Sequence, residues 1–287
     1  MPNATWTRIQ NELLRLAIQD AQAPPVPGQP TRQDTFRRQK IAAVERANNG
    51  RPLIVYATAC TVPRLIPSNF LMIDFSDKIG FKTVTENINS PAIDVLIHSP
   101  GGYPDAAESI VQQLRGKYAD IRFIVPMFAK SAATMLVMSG NEILMEKDAE
   151  LGPIDPQMIT PNGASSAIAI KKQFEMAQAE LSAPGGQAKL PSWVPILTLL
   201  GPSLLIDCQH AIDASTKLVK DWLTDYMFAG EADAAARADR IVAYLSDHST
   251  FKSHGKPIKL GDLKSRGVNA KDLAANPALA AAVSELY

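Results

Sequence analysis

Val95-Leu-Ile-His-Ser-Pro-Gly101-Gly102 is an apolar run that ends abruptly in a proline and two glycines. A second apolar run ends in the same abrupt way at Phe128-Ala-Lys-Ser131, where small residues open a helical pattern. Each run is typical of a buried strand that turns directly into a helix. If the two strands are neighbours, their turns would lie side by side. They would supply backbone N–H groups at one turn and a hydroxyl at the other, which acyl transfer requires.

The pattern around these two runs predicts a mostly parallel sheet covered on both faces, because its strands are continuously apolar and alternate with helices. The predicted strands cover residues 52–58, 93–98, 121–127 and 142–145. Predicted helices cover residues 4–22, 34–48, 104–118, 131–140, 164–182, 203–229 and 232–246, with a last one near the C-terminus, and residues 68–88 are predicted to form a short loop and a helix. The sequence after residue 157 is therefore expected to be mainly helical.

Composition sets limits on the class of protein. The 287 residues include 29 basic and 29 acidic side chains, and this balance argues against a general electrostatic binder of nucleic acid. The N-terminus lacks the pattern of a signal peptide, and no apolar run is long enough to span a bilayer. We therefore expect a cytoplasmic protein without a transmembrane segment. Cys60 and Cys208 are expected to be reduced thiols, with a single disulfide between them as the alternative, and no Cys/His spacing predicts a metal site.

The glycine turn has two interpretations. Pro100 has no N–H, and Gly101 and Gly102 allow positive φ and close approach of a ligand to the backbone. An oxyanion hole is the functional interpretation, and an ordinary strand-to-helix turn is the alternative.

Ser131 also has two interpretations, as a catalytic nucleophile or as a helix N-cap. A nucleophilic serine needs a base, and none of the four histidines follows it closely in sequence. A buried lysine can serve when burial lowers its pKa. Lys171 and Lys172, within the predicted helix 164–182, are the candidates, with solvated surface charges as the alternative.

Five motifs together resemble those of the serine dehydrogenase proteinase family, which belongs to the Clp-peptidase/crotonase superfamily and is related to signal peptide peptidase A. They are His98-Ser-Pro-Gly-Gly102, Ala129-Lys-Ser-Ala-Ala-Thr-Met135, Ser139-Gly-Asn-Glu-Ile-Leu144, Leu151-Gly-Pro-Ile-Asp-Pro-Gln157 and Ser253-His-Gly-Lys-Pro-Ile258. The resemblance extends over roughly residues 35–270. It implies an α/β fold, a Clp/crotonase-like spiral of β-β-α units with a helical C-terminal part.

The resemblance also implies roles for individual residues. Ser131 would be the nucleophile, and Gly101 or Gly102 together with the N–H of Ala132 would form the oxyanion hole. The spacing in Ser-Lys relatives implies Lys172 as the base, with Lys171 second. Clp peptidases have a histidine where this chain has Asp155-Pro-Gln157, which argues against a Ser-His-Asp triad.

These inferences predict a serine endopeptidase that cleaves polypeptide substrates, needs no cofactor or metal, and assembles as a homo-oligomer. The segment 193–206 and the N-terminal helix are expected at subunit contacts. The predicted division is an N-terminal helix and proline-rich linker at 1–33, a protease domain at 34–270 and a helical tail at 271–287. Two alternatives keep the fold: a non-catalytic oligomeric scaffold, and an acyl-CoA enzyme of the crotonase type. The latter would use nearby carboxylates, namely Glu142, Glu150 and Asp155.

Overall fold

A computed structural model describes residues 4–61, 67–160, 163–198 and 201–287. Its strands are β1 Leu53–Ala57, β2 Ala92–His98, β3 Asp120–Val125, β4 Phe128–Ala129, β5 Glu142–Met145, β6 Glu150–Leu151, β7 Gln157–Thr160, β8 Gly163–Ser166, β9 Ile258–Lys259 and β10 Ala270–Asp272. Its α-helices are α1 Ala4–Gln22, α2 Arg32–Ala47, α3 Phe75–Thr85, α4 Pro104–Arg115, α5 Ala132–Met138, α6 Ala167–Ser182, α7 Leu190–Leu197, α8 Leu204–Trp222, α9 Ala234–Leu245, α10 His248–Phe251, α11 Leu260–Ser265 and α12 Pro277–Leu286. None of the described helices is both long and apolar enough to cross a membrane.

The main sheet has five parallel strands in the order β1-β2-β3-β5-β10. Three consecutive residues of β2, Val95, Leu96 and Ile97, are fully buried, although successive side chains of a strand point to opposite faces. Both faces of the sheet are therefore covered, and the predicted parallel, two-sided sheet is confirmed.

The two faces of the sheet pack against different helices. Val95 and Ile97 belong to the larger core, which also contains buried residues of α4, α5, α8 and α9. Leu96 lies in a smaller core on the other face, together with Val44 of α2 and Leu279 of α12. Burial of each such aliphatic side chain contributes about 1.5–3 kcal/mol to folding, so the alternation along β2 fixes its register.

A buried carboxylate links strands at one end of this sheet. Asp94 of β2 is 1% exposed, and it pairs with Arg51 at 2.7 Å and with Arg122 at 2.9 Å. Burial raises the pKa of Asp94 above its usual value despite both arginines. The two arginines come from separate parts of the chain, so their contacts with Asp94 join β2, β3 and the turn before β1.

A second, three-stranded sheet was not predicted. It has the order β4-β6-β9, with β4 parallel and β9 antiparallel to the central β6. Leu151 is paired with Ala129 on one side and with Ile258 on the other. Ser99, just after β2, joins this sheet to the main one through the bonds Ser99 N–H to Phe128 O (3.2 Å) and Lys130 N–H to Ser99 O (3.0 Å). The Gly and Ser turns are thus fixed to each other by backbone bonds.

The part after β6 is mainly helical, as expected, with one difference. The helix predicted from residue 164 begins at Ala167, because residues 163–166 form β8 and pair with β7 in a hairpin. Helix α6 packs on α8 around the buried Ala167, Ile170 and Cys208. Helix α7 has no buried residue.

The N-terminal helix docks on the body of the protein. Asp20 of α1 pairs with Arg32 at the start of α2 (2.8 Å), and Glu285 of α12 pairs with Lys40 of α2 (2.6 Å) and with Arg8 of α1. These ion pairs connect both ends of the described chain through α2. The three-part domain division stays a prediction.

Candidate active site

The backbone of Ser131 is strained. Its φ of 52° and ψ of −122° are unusual for a residue with a side chain, and such conformations cost on the order of 1–3 kcal/mol. Although Ser131 precedes α5, its hydroxyl makes no cap hydrogen bond, nor any other within the described ranges. The residue is half-buried. Ser131 is therefore not a simple capping residue, and its hydroxyl has no hydrogen-bond partner among the described residues.

Gly101 lies directly against the Ser131 turn. Its φ is +102°, and a Cβ there would be 2.6 Å from Lys130 O, 2.7 Å from Ser131 Cβ and 3.1 Å from Ala132 N. Gly102 is equally confined, because a Cβ would be 2.2 Å from the carbonyl oxygen of Ile73. Only glycine allows this close approach of the two turns.

Two backbone N–H groups at these turns are available to a ligand. Ser99 Oγ accepts the N–H of Gly101 at 3.2 Å, whereas the N–H groups of Gly102 and Ala132 make no hydrogen bond within the described part of the chain. The two predicted glycines thus differ in role. Gly101 brings the turns together, while Gly102 and Ala132 have the free donors that an oxyanion hole needs.

The two lysines predicted as base candidates both lie on α6. Lys171 is half-buried and donates a hydrogen bond to Gln209 of α8. Lys172 is exposed and makes no hydrogen bond or ion pair with any described residue. Neither lysine is bonded to Ser131. Helix α6, which carries both, packs mainly on α8 rather than on α5, which Ser131 precedes.

The lysine next to the nucleophile is committed to ion pairing. Lys130 Nζ lies 2.7 Å from Glu150 Oε1 and donates to Leu151 O at 3.1 Å. Burial acts to raise the pKa of Glu150, but the hydrogen bonds and charges of Lys130 and Lys259 outweigh it and leave that pKa below its usual value. Lys130 therefore holds β4 to β6 through its contacts with Glu150 and Leu151.

A buried carboxylate with two histidines lies beyond β6. Asp155 is 1% exposed. Its Oδ1 lies 2.7 Å from His254 Nδ1, and its Oδ2 lies 3.3 Å from His248 Nδ1 and accepts from Gln157 Nε2 at 3.1 Å. Burial acts to raise the pKa of Asp155, but the hydrogen bond and charge of His254, with the charge of His248, outweigh it and lower that pKa overall. Sequence reasoning missed this cluster, although Asp155 and His254 both lie in motifs that carry the family resemblance.

The histidine of the Gly-turn motif has a different environment. His98 is 2% exposed, its ring centre lies 4.2 Å from that of Phe128, and its Nε2 is 3.4 Å from Cys60 Sγ. Nδ1 has no hydrogen-bond partner in the described chain. Burial lowers the pKa of His98, so the ring is neutral near pH 7. We assign it a packing role beneath β4.

The carboxylates considered for acyl-CoA chemistry are all paired. Glu142 contacts Arg122 and Lys271, Glu150 contacts Lys130 and Lys259, and Asp155 contacts the two histidines. Among the residues described, no group of three or more His, Cys, Asp or Glu could hold a metal ion. Cys60 and Cys208 are both free thiols.

Comparisons with known proteins identify a family that this chain resembles. Residues 36–181 match the family described as ClpP-like SDH-type serine proteinases, a range that contains both turns. Two proteins of Methanocaldococcus jannaschii are similar to the chain: uncharacterized protein MJ0137 is 34% identical over 111 residues, and uncharacterized protein MJ1495 is 34% identical over 89 residues.

The alignments cover 39% and 31% of this chain, respectively, and 37% and 30% of these relatives, so the chain spans about a third of the length of each. The family match covers about half of the chain and includes the strained serine and both free N–H groups. The mixed α/β fold, with its parallel sheet and helical C-terminal part, is consistent with that match. The chain belongs to the family of ClpP-like SDH-type serine proteinases.

Proposed function

We propose that this protein is a serine endopeptidase in which Ser131 forms an acyl-enzyme. One observation carries the proposal: the strained Ser131 lies against a glycine turn, and the N–H groups of Gly102 and Ala132 are unpaired in the described structure. A nucleophile beside two backbone donors is the arrangement that acyl transfer to a serine uses.

In the proposed reaction, Ser131 Oγ attacks the peptide carbonyl as a base removes the hydroxyl proton. The N–H groups of Gly102 and Ala132 donate to the tetrahedral oxyanion. The C–N bond then breaks, and the leaving amine takes the proton from the base. Water releases the acyl group by the same steps in a second cycle.

The family resemblance proposes Lys172 as this base, with Lys171 next. Lys172 is exposed and has no partner among the described residues, so it is free to bind elsewhere. Because α6 packs on α8, the dyad requires either a movement of α6 or a lysine delivered from another copy of the chain. A Ser131–Lys172 dyad therefore predicts that activity depends on such a rearrangement.

We also propose that the protein forms a homo-oligomer. An apolar groove of about 620 Å³ lies between α6 and α8, next to α7. Several apolar side chains near it are exposed, namely Met176, Leu190, Val194, Ile196, Leu205 and Ile206. This surface includes most of the predicted contact segment 193–206, of which residues 199 and 200 lie outside the described structure. Large exposed apolar patches commonly mark protein interfaces.

The test compares wild type, Ser131→Ala and Ser284→Ala, the last an exposed serine of α12 that serves as a control. Cleavage of fluorescent casein and labelling by a fluorophosphonate are measured. We expect Ser131→Ala to lose about 10³-fold or more in cleavage rate and all labelling, because removal of a nucleophile abolishes the acyl-enzyme route. The control is expected to match wild type.

Other results would favour the alternatives. Cleavage that survives in Ser131→Ala would refute the peptidase proposal. An acyl-CoA that raises the unfolding temperature would favour the crotonase-type enzyme. Cellular function that is unchanged in Ser131→Ala would favour the scaffold.

A further inference from the structure

A cysteine and a histidine meet where the first two strands of the main sheet end. Strands β1 and β2 are parallel, with Ala57 opposite His98. The chain continues past β1 through Thr58, whose N–H donates to His98 O at 2.9 Å. Two residues later, Cys60 Sγ lies 3.4 Å from His98 Nε2. Because parallel strands end at the same edge of a sheet, this pair lies next to the glycine turn that follows His98.

The imidazole of His98 has little else to bind. The residue is 2% exposed, and its Nδ1 has no hydrogen-bond partner in the described part of the chain. Among the residues that the structure describes, the Cys60 thiol is therefore the one polar partner of the ring. Buried polar atoms are nearly always paired, and an exception calls for an explanation such as a catalytic or redox role.

Two aromatic rings fix the orientation of this imidazole. The Phe128 ring centre lies 4.2 Å from that of His98, and the Tyr287 ring centre lies 5.4 Å from it. Burial raises the pKa of Tyr287 to about 12, and the charge that Cys60 can carry adds to this rise, so the phenol stays protonated beside the thiol. In a closely packed environment, rotation of the imidazole away from Cys60 would require an aromatic neighbour to move.

The two cysteines of the chain differ in their access to solvent. Cys60 is half-buried, whereas Cys208 is fully buried with residues of α6, and burial raises the pKa of its thiol. Neither forms a disulfide. Reactive cysteines lie in partly exposed sites beside a histidine or a cation, while buried structural thiols are inert. Cys60 meets both conditions, and Cys208 is an internal control that meets neither.

We propose that Cys60 and His98 form a site of reversible modification by low-molecular-weight disulfides, and that an adduct there suppresses acylation of Ser131. The second half of this inference rests on the proposed peptidase function. In the exchange, His98 Nε2 takes the Sγ proton as Sγ attacks one sulfur of the disulfide. The new S–S bond forms as the old one breaks, and the departing thiolate takes the proton from Nε2. The products are a mixed disulfide on Cys60 and one free thiol, so no other oxidant is required.

The contacts around His98 connect an adduct to both turns of the candidate site. Ser99, the next residue, donates its N–H to Phe128 O at 3.2 Å, and its hydroxyl accepts the N–H of Gly101 at 3.2 Å. A group attached to Sγ competes with the His98 ring for the space at the thiol, and closely packed interiors transmit such a displacement. The displaced ring would move Phe128 and Ser99, which fix the glycine turn and the Ser131 turn to each other.

The first measurement is the reactivity of the thiols in the full chain at neutral pH. The probe is dithiobis(nitrobenzoate), because each exchange releases one coloured thiolate. We expect one reactive thiol in native wild type and in Cys208→Ala, and none in native Cys60→Ser. An ordinary thiol is only about 3% ionised at neutral pH, so a base that takes its proton can raise the exchange rate by up to about 30-fold. Cys60 of native Cys208→Ala should therefore react about 10-fold faster than the same residue of the urea-unfolded chain, and His98→Gln should lower the native rate about 10-fold.

The second measurement follows the effect of an adduct on the serine. The protein is incubated with glutathione disulfide, the adduct is quantified by intact mass, and Ser131 is then labelled with the fluorophosphonate. We expect the labelling rate of modified wild type and modified Cys208→Ala to fall at least about 10-fold, because a misplacement of about 1 Å can cost about 10²-fold in rate. Dithiothreitol should restore labelling, and glutathione disulfide should have no effect on the labelling of Cys60→Ser.

The outcomes separate the thiol site from the proposed peptidase. If native Cys60 reacts no faster than in the unfolded chain, the thiol site is overturned, and this comparison holds even when His98→Gln fails to fold. An unchanged exchange rate in folded His98→Gln would also overturn it, because the ring would then give no assistance. Complete modification with unchanged labelling would overturn the link to Ser131. If unmodified wild type is not labelled at all, the peptidase proposal and this link fail together, while the exchange rates still decide the thiol site.

Discussion

Replacing Gly101 by alanine tests how closely the two turns approach. The new methyl group would lie 2.6 Å from Lys130 O and 2.7 Å from Ser131 Cβ, both too close for ordinary contact. Holding a side chain at φ +102° costs about 1–3 kcal/mol. Overpacking in a closed site adds about 1–3 kcal/mol more. We therefore expect Gly101→Ala to lower the free energy of unfolding by about 2–6 kcal/mol, a large part of the 5–15 kcal/mol typical of a folded protein.

The assay is urea unfolding followed by circular dichroism, with fluorophosphonate labelling of Ser131 as a second readout. Gly261→Ala is the matched control, because Gly261 lies in α11 with no atom within 4 Å of a new Cβ and without positive φ. It should raise stability by up to about 1 kcal/mol, the ordinary advantage of alanine over glycine in a helix. If the two variants have equal free energies of unfolding and are labelled equally well, the inferred close contact between the Gly101 and Ser131 turns is refuted.

Three further predictions concern buried polar groups. Thr134→Val should lower the free energy of unfolding by about 1–3 kcal/mol. The buried Thr134 hydroxyl accepts from the N–H of Gly152 at 3.0 Å and donates to Ala129 O at 2.7 Å, and valine would leave both groups without these bonds. An unchanged thermal unfolding midpoint would contradict this prediction. Asp94→Ala should lower the free energy of unfolding by about 3 kcal/mol, because it leaves two partly buried arginines without their carboxylate partner. A loss smaller than the error of urea unfolding would contradict this prediction. Because burial lowers the pKa of His98, the histidine binds a proton in the unfolded protein at a higher pH than in the folded protein. Stability should therefore fall as the pH drops from about 7 to about 5, and His98→Gln should reduce this slope; identical slopes would argue against the burial effect.

Four of the five strands of the main sheet could be predicted because they are largely apolar runs. Strand β10 was missed, because Ala270–Asp272 is short and two of its three residues are charged. Val95-Leu-Ile97 has no polar residue to place on a solvent face, and the structure buries all three side chains. The small sheet could not be predicted in this way. Strands β4, β6 and β9 have two residues each, which is too short for any periodicity, and tertiary contacts alone determine their pairing.

The candidate site shows the same division between local and long-range information. The Pro-Gly-Gly turn and Ser131 are local signals, and the structure brings them together. The choice between Gly101 and Gly102 as donor depends on the Ser99 hydroxyl, which occupies one N–H and not the other. The contact of Asp155 with His254 joins residues that are 99 apart in the chain, and no spacing rule connects them. Catalysis by Ser131 and the identity of its base stay predictions.

The position of β9 has a consequence for biosynthesis. A ribosome delivers the chain from its N-terminus, so Gly102 and Ser131 emerge well before Ile258, which closes the small sheet against Leu151. Strand β10, which completes the main sheet at β5, emerges later still. A nascent chain therefore carries the serine and its glycine turn before β9 can pair with β6. The small sheet next to the Ser131 turn is therefore completed only late in synthesis.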